Sequence, residues 1–414
     1  MKAYRSKGIA LIAGAVLFIA CGLTACGGGK GSKGDKSSVA DTLKKDSVKT
    51  TATATPKKDP IVIDRKFDDV ARYIAGLAPK AGCTIDPERF KDKAWVSYSE
   101  SFNKSWHNYD STRLSVMRAW SKTDLEEMNK NETNIFYPFA GADILNAYTL
   151  FPHATQFVMV GLEPVGTLPG INGKNYKDSV ATYLHSINNS LTSILNFSFF
   201  RTRSMRLDFD KSNELNGTIH ILLLFLTRTG NTIAGITPVS IHADGSLARY
   251  ESFAEMRKDS LKAKGAEIRF VDADSVLKKV YYFSNNIAND GMKANPGFTA
   301  FVKNMKHYNT YLKSASCLMH ETYFSSIRNL ILDGSNYVLE DDSGIPLKYF
   351  TERGNWDFIF YGVYTSAYNI FHHNNQQDLI DAYKSGKNVK PLPFGIGYKF
   401  QKGQSNLMLA KKKN

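Results

Sequence analysis

A glycine, an aspartate and a glutamate that accompany two short apolar runs are the residues best placed to bind a ligand. Gly141 and Asp143 follow the run 134–139, and Glu163 follows the run 156–162. In nucleotide-binding sheets, a glycine in the first turn permits close approach of the ligand, and an acid at the end of the second strand bonds a ribose hydroxyl. Glu163 comes 22 residues after Gly141, which fits this arrangement, although one glycine stands where G-x-G-x-x-G has three. The pattern predicts a ligand-binding cleft over Gly141, Asp143 and Glu163.

The elements around these residues alternate between strand and helix. The run 134–139 is β-prone, residues 144–151 have the spacing of a helix, and 156–162 is predicted to be a buried strand. A right-handed crossover between two parallel strands accounts for this order most simply. In the alternative interpretation, Gly141 only ends a strand and Glu163 only caps one.

The remaining patterns predict an α/β fold with a mostly parallel sheet. The segment 67–128 has the spacing of helices, with its tryptophans in the core, and predicts an N-terminal helical layer. The segments 394–400 and 405–410 flank a four-residue turn and predict a C-terminal antiparallel hairpin. Further helices are expected at 176–200, 297–305 and 322–332, and further strands at 219–225, 239–241, 267–271, 280–283 and 356–361.

Residues 1–26 have the three parts of an export signal. A basic start precedes an apolar run that is too short for a membrane span, which takes about 20 residues. The run ends at Leu23-Thr24-Ala25-Cys26, which resembles the lipobox of bacterial lipoproteins of the Bacteroidota type, and Gly27 is typical of those sent to an outer membrane. The resemblance implies that residues 1–25 are a signal peptide and that Cys26 carries lipid chains such as palmitate. The protein is then anchored in the outer membrane, facing the periplasm or the cell surface. The alternative is an ordinary signal peptide in which Cys26 is incidental.

The net charge of +14 is concentrated outside the predicted folded part. The stretch 26–60 is rich in glycine, serine, threonine and lysine, and it predicts a flexible tether after the lipidated cysteine. The tail 411–414 is also basic, so that residues 61–410 carry a net charge of only +4. Binding to a phosphate backbone needs a concentrated basic stripe, and nucleic acid is therefore not an expected partner. With 43% hydrophobic residues in the chain, we expect 61–410 to form a single α/β domain.

From about residue 134 to residue 410, the order of elements resembles that of the class I methyltransferases, a Rossmann-like family whose sheet also ends in an antiparallel hairpin. The resemblance implies that Gly141 faces the methionine part of S-adenosylmethionine and that Glu163 faces its ribose. Asp143 departs from the usual spacing. Because a protein outside the cytoplasm meets little S-adenosylmethionine or NAD, no cofactor is expected.

Two further clusters are weaker candidates. Arg201 and Arg203 are suited to clamp a carboxylate or phosphate, although a solvated face or ion pairs with Asp208 and Asp210 explain them more simply. The acidic turn 340–342 offers oxygen ligands but lacks the spacing of an EF-hand, so no metal site is expected. Cys83 and Cys317 are compatible with a disulfide or with two free thiols.

Together these patterns predict a membrane-anchored envelope lipoprotein that binds a small molecule without catalysis. One alternative is an envelope enzyme that uses the same cleft, with Asp143, Glu163 or Asp342 as acid or base. Another is a structural lipoprotein that binds its partner through an exposed aromatic patch.

Overall fold

Strands from most of the chain assemble into one sheet. The computed structural model describes residues 60–130, 133–173, 176–197 and 215–413. The predicted signal peptide and tether lie outside these residues. In chain order, the strands are β1 Asn134–Tyr137, β2 Gln156–Gly161, β3 Thr232–Ile241, β4 Leu247–Arg249, β5 Lys264–Val271, β6 Leu277–Ser284, β7 Tyr308–Leu312, β8 Ser335–Glu340, β9 Trp356–Gly362, β10 Val389–Lys390 and β11 Asn406–Lys412.

The centre of the sheet is parallel, and both flanks contain antiparallel pairs. The strand order is β10-β9-β11-β8-β7-β1-β2-β6-β5-β3-β4. The neighbours β8, β7, β1, β2 and β6 all run parallel. On one flank β11 is antiparallel to both β8 and β9, and on the other β6, β5, β3 and β4 pair antiparallel in succession. The fold is therefore mixed α/β, and the expectation of a mostly parallel sheet is correct for the centre alone.

The short strand β1 lies at the middle of the parallel set. Asn134 pairs with Gln156 of β2 on one side and with Tyr308 of β7 on the other. The sheet has a hydrophobic core on each of its two faces. Successive side chains of β1 pack in different cores, because Ile135 lies on one face of the sheet and Phe136 on the other. Burial on both faces explains why this run is apolar throughout instead of alternating with polar residues. The predicted parallel pairing of β1 with β2 is confirmed.

Helices cover both faces of the sheet. Among the described residues, no helix is both long and apolar enough to cross a bilayer. In chain order, the helices are α1 Arg65–Ile74, α2 Lys93–Tyr109, α3 Ser115–Asp124, α4 Glu126–Asn129, α5 Ile144–Leu150, α6 Tyr176–Phe197, α7 Ile219–Arg228, α8 Phe253–Lys258, α9 Asn289–Ala294, α10 Pro296–Asn304, α11 Ser325–Gly334, α12 Leu347–Thr351 and α13 Gln377–Lys384.

The predicted N-terminal helical layer is confirmed and forms part of the core. Trp95, Trp106 and Trp120 are at most 9% exposed. The Trp95 indole N–H donates to the carbonyl oxygen of Tyr73 over 3.0 Å, which fastens α2 to α1. Trp120 packs edge-on against Tyr361 of β9, with ring centroids 4.9 Å apart. These tryptophans therefore join the helical layer together and to the sheet.

The apolar segment 219–225 forms a helix, so the prediction of a strand there is wrong. It belongs to α7, and the strand β3 begins separately at Thr232. All residues from 219 to 227 are buried, so polar residues do not recur along one face at the spacing that separates a helix from a strand. Leucine is abundant in this segment, and leucine favours helices more than the β-branched residues that are enriched in strands.

The predicted C-terminal hairpin is wrong in its first arm. Residues 394–400 contain only an isolated bridge, between Ile396 and Lys399. Gly397 has a φ of +69°, which interrupts extended backbone. The Ile396 N–H donates to the Ser405 hydroxyl over 2.8 Å instead of to a strand partner. The second arm, β11, pairs with β8 and β9 and thereby completes the middle of that flank.

Candidate functional site

A cavity of about 160 Å³ lies at the carboxyl ends of the central strands. Its walls come from the segments that follow β1, β2, β6 and β7. The strand order reverses between β1 and β7, because the chain continues outward from β1 to β2 in one direction and from β7 to β8 in the other. Ligands of open α/β sheets bind outside the carboxyl ends of the strands at such a switch point. Gly141, Asp143 and Glu163 all line this cavity, so the structure brings these predicted residues together.

Two residues of the turn after β1 have left-handed backbone. Phe139 has a φ of +59° and Gly141 a φ of +53°. Glycine adopts this conformation freely, whereas a bulky residue adopts it at a cost of about 1–3 kcal/mol. Phe139 precedes Gly141 by two residues, which is the spacing of the first two glycines in G-x-G-x-x-G, and its ring packs edge-on against Phe324 of the cavity wall. This position gives no signal in the sequence, because a phenylalanine does not indicate positive φ.

Asp143 is the centre of a buried polar cluster in the cavity wall. Its carboxylate accepts hydrogen bonds from the Asn146 amide at 2.8 Å and from the Tyr137 hydroxyl at 2.9 Å. Lys313 Nζ lies 2.6 Å from Asp143 Oδ2, and both side chains are 2% exposed. Burial, and then the charge of Asp143, raise the pKa of Tyr137 well above its ordinary value. The phenol therefore stays protonated and donates a hydrogen bond to Asp143.

Lys313 was not identified from the sequence. It directly follows β7, a strand whose five residues are all buried. A lysine directly after a fully buried strand indicates a buried ion pair, because lysine is almost never buried without a partner. The run Tyr308–Leu312 was itself not recognised as a strand, and this hid the position of the lysine.

Glu163 is a buried carboxylate on the opposite side of the cavity. It is 2% exposed. The hydroxyl of Tyr282 donates to the Glu163 carbonyl oxygen over 3.0 Å and lies 3.4 Å from Oε2. Burial, and then the charge of Glu163, raise the pKa of Tyr282 well above its ordinary value, so Tyr282 remains a donor. The structure places no lysine or arginine of the described chain in an ion pair with Glu163.

The loop after β7 forms a third wall with unusual backbone. Ser314, Ser316 and Cys317 have φ values of +53°, +55° and +54°. Such conformations persist only where the surroundings fix them, and they cluster at functional sites. Here the Ser314 N–H donates to Asp341 Oδ2 over 2.9 Å, and the Tyr398 hydroxyl donates to the Ser314 carbonyl oxygen over 3.0 Å. Hydrogen bonds from two other segments of the chain therefore hold this wall in place.

Two polar atoms of the cavity-lining residues are buried without a hydrogen-bond partner in the described structure. They are the Ser314 hydroxyl and the Asn285 side-chain nitrogen. An unpaired buried polar group costs about 1–3 kcal/mol. A ligand that supplies the missing partners recovers this free energy, so both residues are candidates for ligand contacts.

The acidic residues at the end of β8 have internal partners. Glu340 Oε2 accepts from the Ile345 N–H at 2.9 Å, and Asp342 Oδ1 accepts from the Asn406 amide at 2.7 Å. Asp342 lies outside the walls of the cavity that Gly141, Asp143 and Glu163 line. In the described part of the chain, no three His, Cys, Asp or Glu side chains form a cluster that could hold a metal ion. Cys83 and Cys317 are free thiols, and burial raises the pKa of Cys317.

Comparisons with protein-family models, with curated proteins and with solved structures gave no match to this chain. Cys26, Arg201 and Arg203 lie outside the described residues, so their predicted roles remain predictions.

Gly161 gives a direct test of the geometry around Glu163. A Cβ at this position would lie 2.4 Å from Glu163 Oε2 and 2.6 Å from the Tyr282 hydroxyl. We predict that Gly161→Ala displaces the Glu163 carboxylate and lowers the free energy of unfolding by about 1–3 kcal/mol. The matched control is Gly170→Ala, because a Cβ there meets no atom within 4 Å. Chemical denaturation of the two variants checks the prediction, which is wrong if both have the same stability.

Asp342 gives a test by pH. Burial, and then the charge of Asp341, raise the pKa of Asp342 to about 6. Between pH 4 and pH 6 the folded state keeps a proton that the unfolded chain loses, so this group lowers the free energy of unfolding as the pH rises. We predict that Asp342→Asn removes this contribution, so that the melting temperature of the wild type minus that of the variant falls from pH 4 to pH 6.5.

The difference between the two proteins is the quantity to measure, because other groups titrate in the same range. Burial lowers the pKa of His320 to about 4, which changes stability in the opposite direction. Asp274→Asn, at an exposed aspartate, is the control. The prediction is contradicted if the difference in melting temperature between the wild type and Asp342→Asn is the same at pH 4 and at pH 6.5.

Proposed function

We propose that this chain is an envelope lipoprotein, anchored in the outer membrane through Cys26, whose α/β domain binds a small ribose-containing molecule without transforming it. The observation that carries the proposal is Glu163, a carboxylate buried in the cavity wall without a lysine or arginine partner in the described chain. Burying an unpaired carboxylate is costly. Hydroxyl groups of a bound ligand offset this cost by donating hydrogen bonds to it.

The strand order supports the choice of a ribose. Numbered in chain order, the parallel strands β1, β2, β6, β7 and β8 lie across the sheet as 3-2-1-4-5, which is the order in doubly wound nucleotide-binding sheets. In those sheets the acid after the second strand bonds the ribose. Glu163 has that place here. The antiparallel last strand, β11, adds to the resemblance to class I methyltransferases.

The chemistry of the walls supports binding without catalysis. Asp143 and Lys313 neutralise each other, and the phenols of Tyr137 and Tyr398 have pKa values raised mainly by burial. Such phenols donate hydrogen bonds but do not accept protons at neutral pH. General acid and base catalysis needs a group whose pKa lies near the working pH. These groups therefore favour ligand recognition over proton transfer.

The anchor is tested by fractionation of cells. We predict that Cys26→Ser moves the protein from the membrane fraction to the soluble fraction, because two or more lipid chains are what give durable anchoring. The matched control is Cys21→Ser, which changes a cysteine inside the apolar run. Immunoblots of the two fractions are the measurement, and a membrane-bound Cys26→Ser protein would refute the lipidation of this residue.

The ligand site is tested with Glu163→Gln. The full chain, purified in detergent from its own host, is analysed by native mass spectrometry before and after denaturation. We predict that the wild type releases a small molecule and that the variant releases at least about tenfold less, because a hydrogen bond to a charged group contributes about 1.5–3 kcal/mol.

Adenosine serves as a defined probe of the same site in titration calorimetry. Glu267→Gln is the matched control, because Glu267 is also buried but bonds Tyr281 and Arg249 outside the cavity. The assignment of Glu163 fails if Glu163→Gln keeps the bound molecule, or if both variants lose it equally.

A further inference from the structure

Two of the three charged residues that the structure describes in the cavity wall, Asp143 and Lys313, form an ion pair with each other. Of the described residues that line the cavity, Lys313 alone is a cation, and it lies 2.6 Å from Asp143. Glu163 is the remaining charged residue of the lining. An anionic ligand therefore meets a cation that already has a carboxylate partner, and it meets a second carboxylate across the cavity.

Asp143 lies between β1 and α5, as the N-cap residue of that helix. In doubly wound folds, a ribose on the acid after the second strand directs its phosphates to the first turn and the start of the following helix. Here the side chain of Asp143 lies at the start of the helix that follows β1. Its carboxylate accepts from the backbone N–H of Asn146 at 3.3 Å, within the first turn of α5. A phosphate directed to this turn would face a carboxylate at close range.

Phe139 adds a steric barrier at the same turn. The first glycine of a phosphate-binding turn allows a tight bend beside the ligand. Phe139 keeps the left-handed backbone, with a φ of +59°, but it adds a ring that lines the cavity. The ring is fixed against Phe324, with centroids 5.5 Å apart. The turn therefore presents an apolar surface to the ligand.

We infer that Asp143 takes the place of a ligand phosphate, so that the cleft accepts an uncharged nucleoside and excludes nucleotides. The inference rests on the proposed function and names the class of ligand within it. Glu163 bonds the ribose hydroxyls, Phe139 covers the side of the ribose that carries the phosphate in nucleotides, and Lys313 balances the charge of Asp143.

The test compares two probes, adenosine and adenosine monophosphate, on the full chain by titration calorimetry. We expect the wild type to bind adenosine at least about tenfold more tightly, because juxtaposed like charges weaken binding strongly. Asp143→Gly removes the carboxylate, and glycine is well tolerated at a helix N-cap. With this partner of Lys313 gone, we expect the variant to bind adenosine monophosphate at least as tightly as adenosine.

Two further variants make the comparison specific. Asp272→Gly is the matched control, because it breaks another buried pair, between Asp272 and Lys278 at 2.8 Å, outside the cavity. It should keep the preference of the wild type for adenosine. Asp143→Asn keeps the volume and the capping oxygen while removing the charge. It should shift the preference towards adenosine monophosphate by about tenfold, even where Asp143→Gly fails to fold.

The outcomes separate this inference from the proposed function. If the wild type binds adenosine monophosphate as tightly as adenosine, the inference is overturned and the ribose site stands. If the wild type prefers adenosine and neither variant of Asp143 changes that preference, the role of Asp143 is overturned. If the wild type binds neither probe, the ribose site itself is refuted, and the inference with it.

Discussion

The ion pair between Lys313 and Asp143 joins the two halves of the sheet where its strand order reverses. Lys313 directly follows β7, and Asp143 is the N-cap residue of α5, at the end of the turn after β1. Removing one partner of a buried ion pair costs about 3–5 kcal/mol, because the other charge then remains without compensation. Tyr137 and Asn146 complete the contacts of the carboxylate. The turn, the helix and the loop after β7 are therefore fixed relative to one another, and the walls of the cavity depend on this fixed arrangement.

The turn after β1 has left-handed backbone at a residue that is not a glycine. Phe139 and Gly141 share the left-handed conformation that glycines adopt in a nucleotide-binding turn, yet one of them carries a large side chain. Packing of that side chain on Phe324 offsets part of the backbone strain. A sequence motif defined by glycines therefore does not detect the positive φ of Phe139.

The sequence predicts those parts of the fold in which the local pattern of apolar and polar residues is enough to identify each helix or strand. The order β1, α5, β2 was predicted because the apolar runs are short and separated by a clear helix, and Gly141, Asp143 and Glu163 follow from that order. The prediction of a strand at 219–225 is wrong because this helix is buried on all sides and has no polar face that would reveal its period. The prediction that residues 405–410 pair with residues 394–400 is wrong because the sheet as a whole determines which strands pair. Proximity in sequence does not reveal that β11 lies between β8 and β9. Lys313 and Phe139 were missed because their roles depend on distant contacts and on backbone conformation.

The placement of β11 has a consequence for how the protein is made. This strand follows β8 and β9 in the chain but lies between them in the sheet. Until residues 406–412 have emerged, the facing edges of β8 and β9 have no partner, and unpaired edges invite association with other chains. Synthesis proceeds from the amino end, so this flank of the sheet closes only at a late stage. The last strand of the chain therefore protects two earlier strands at once, and a chain that lacks it leaves both edges open to other chains.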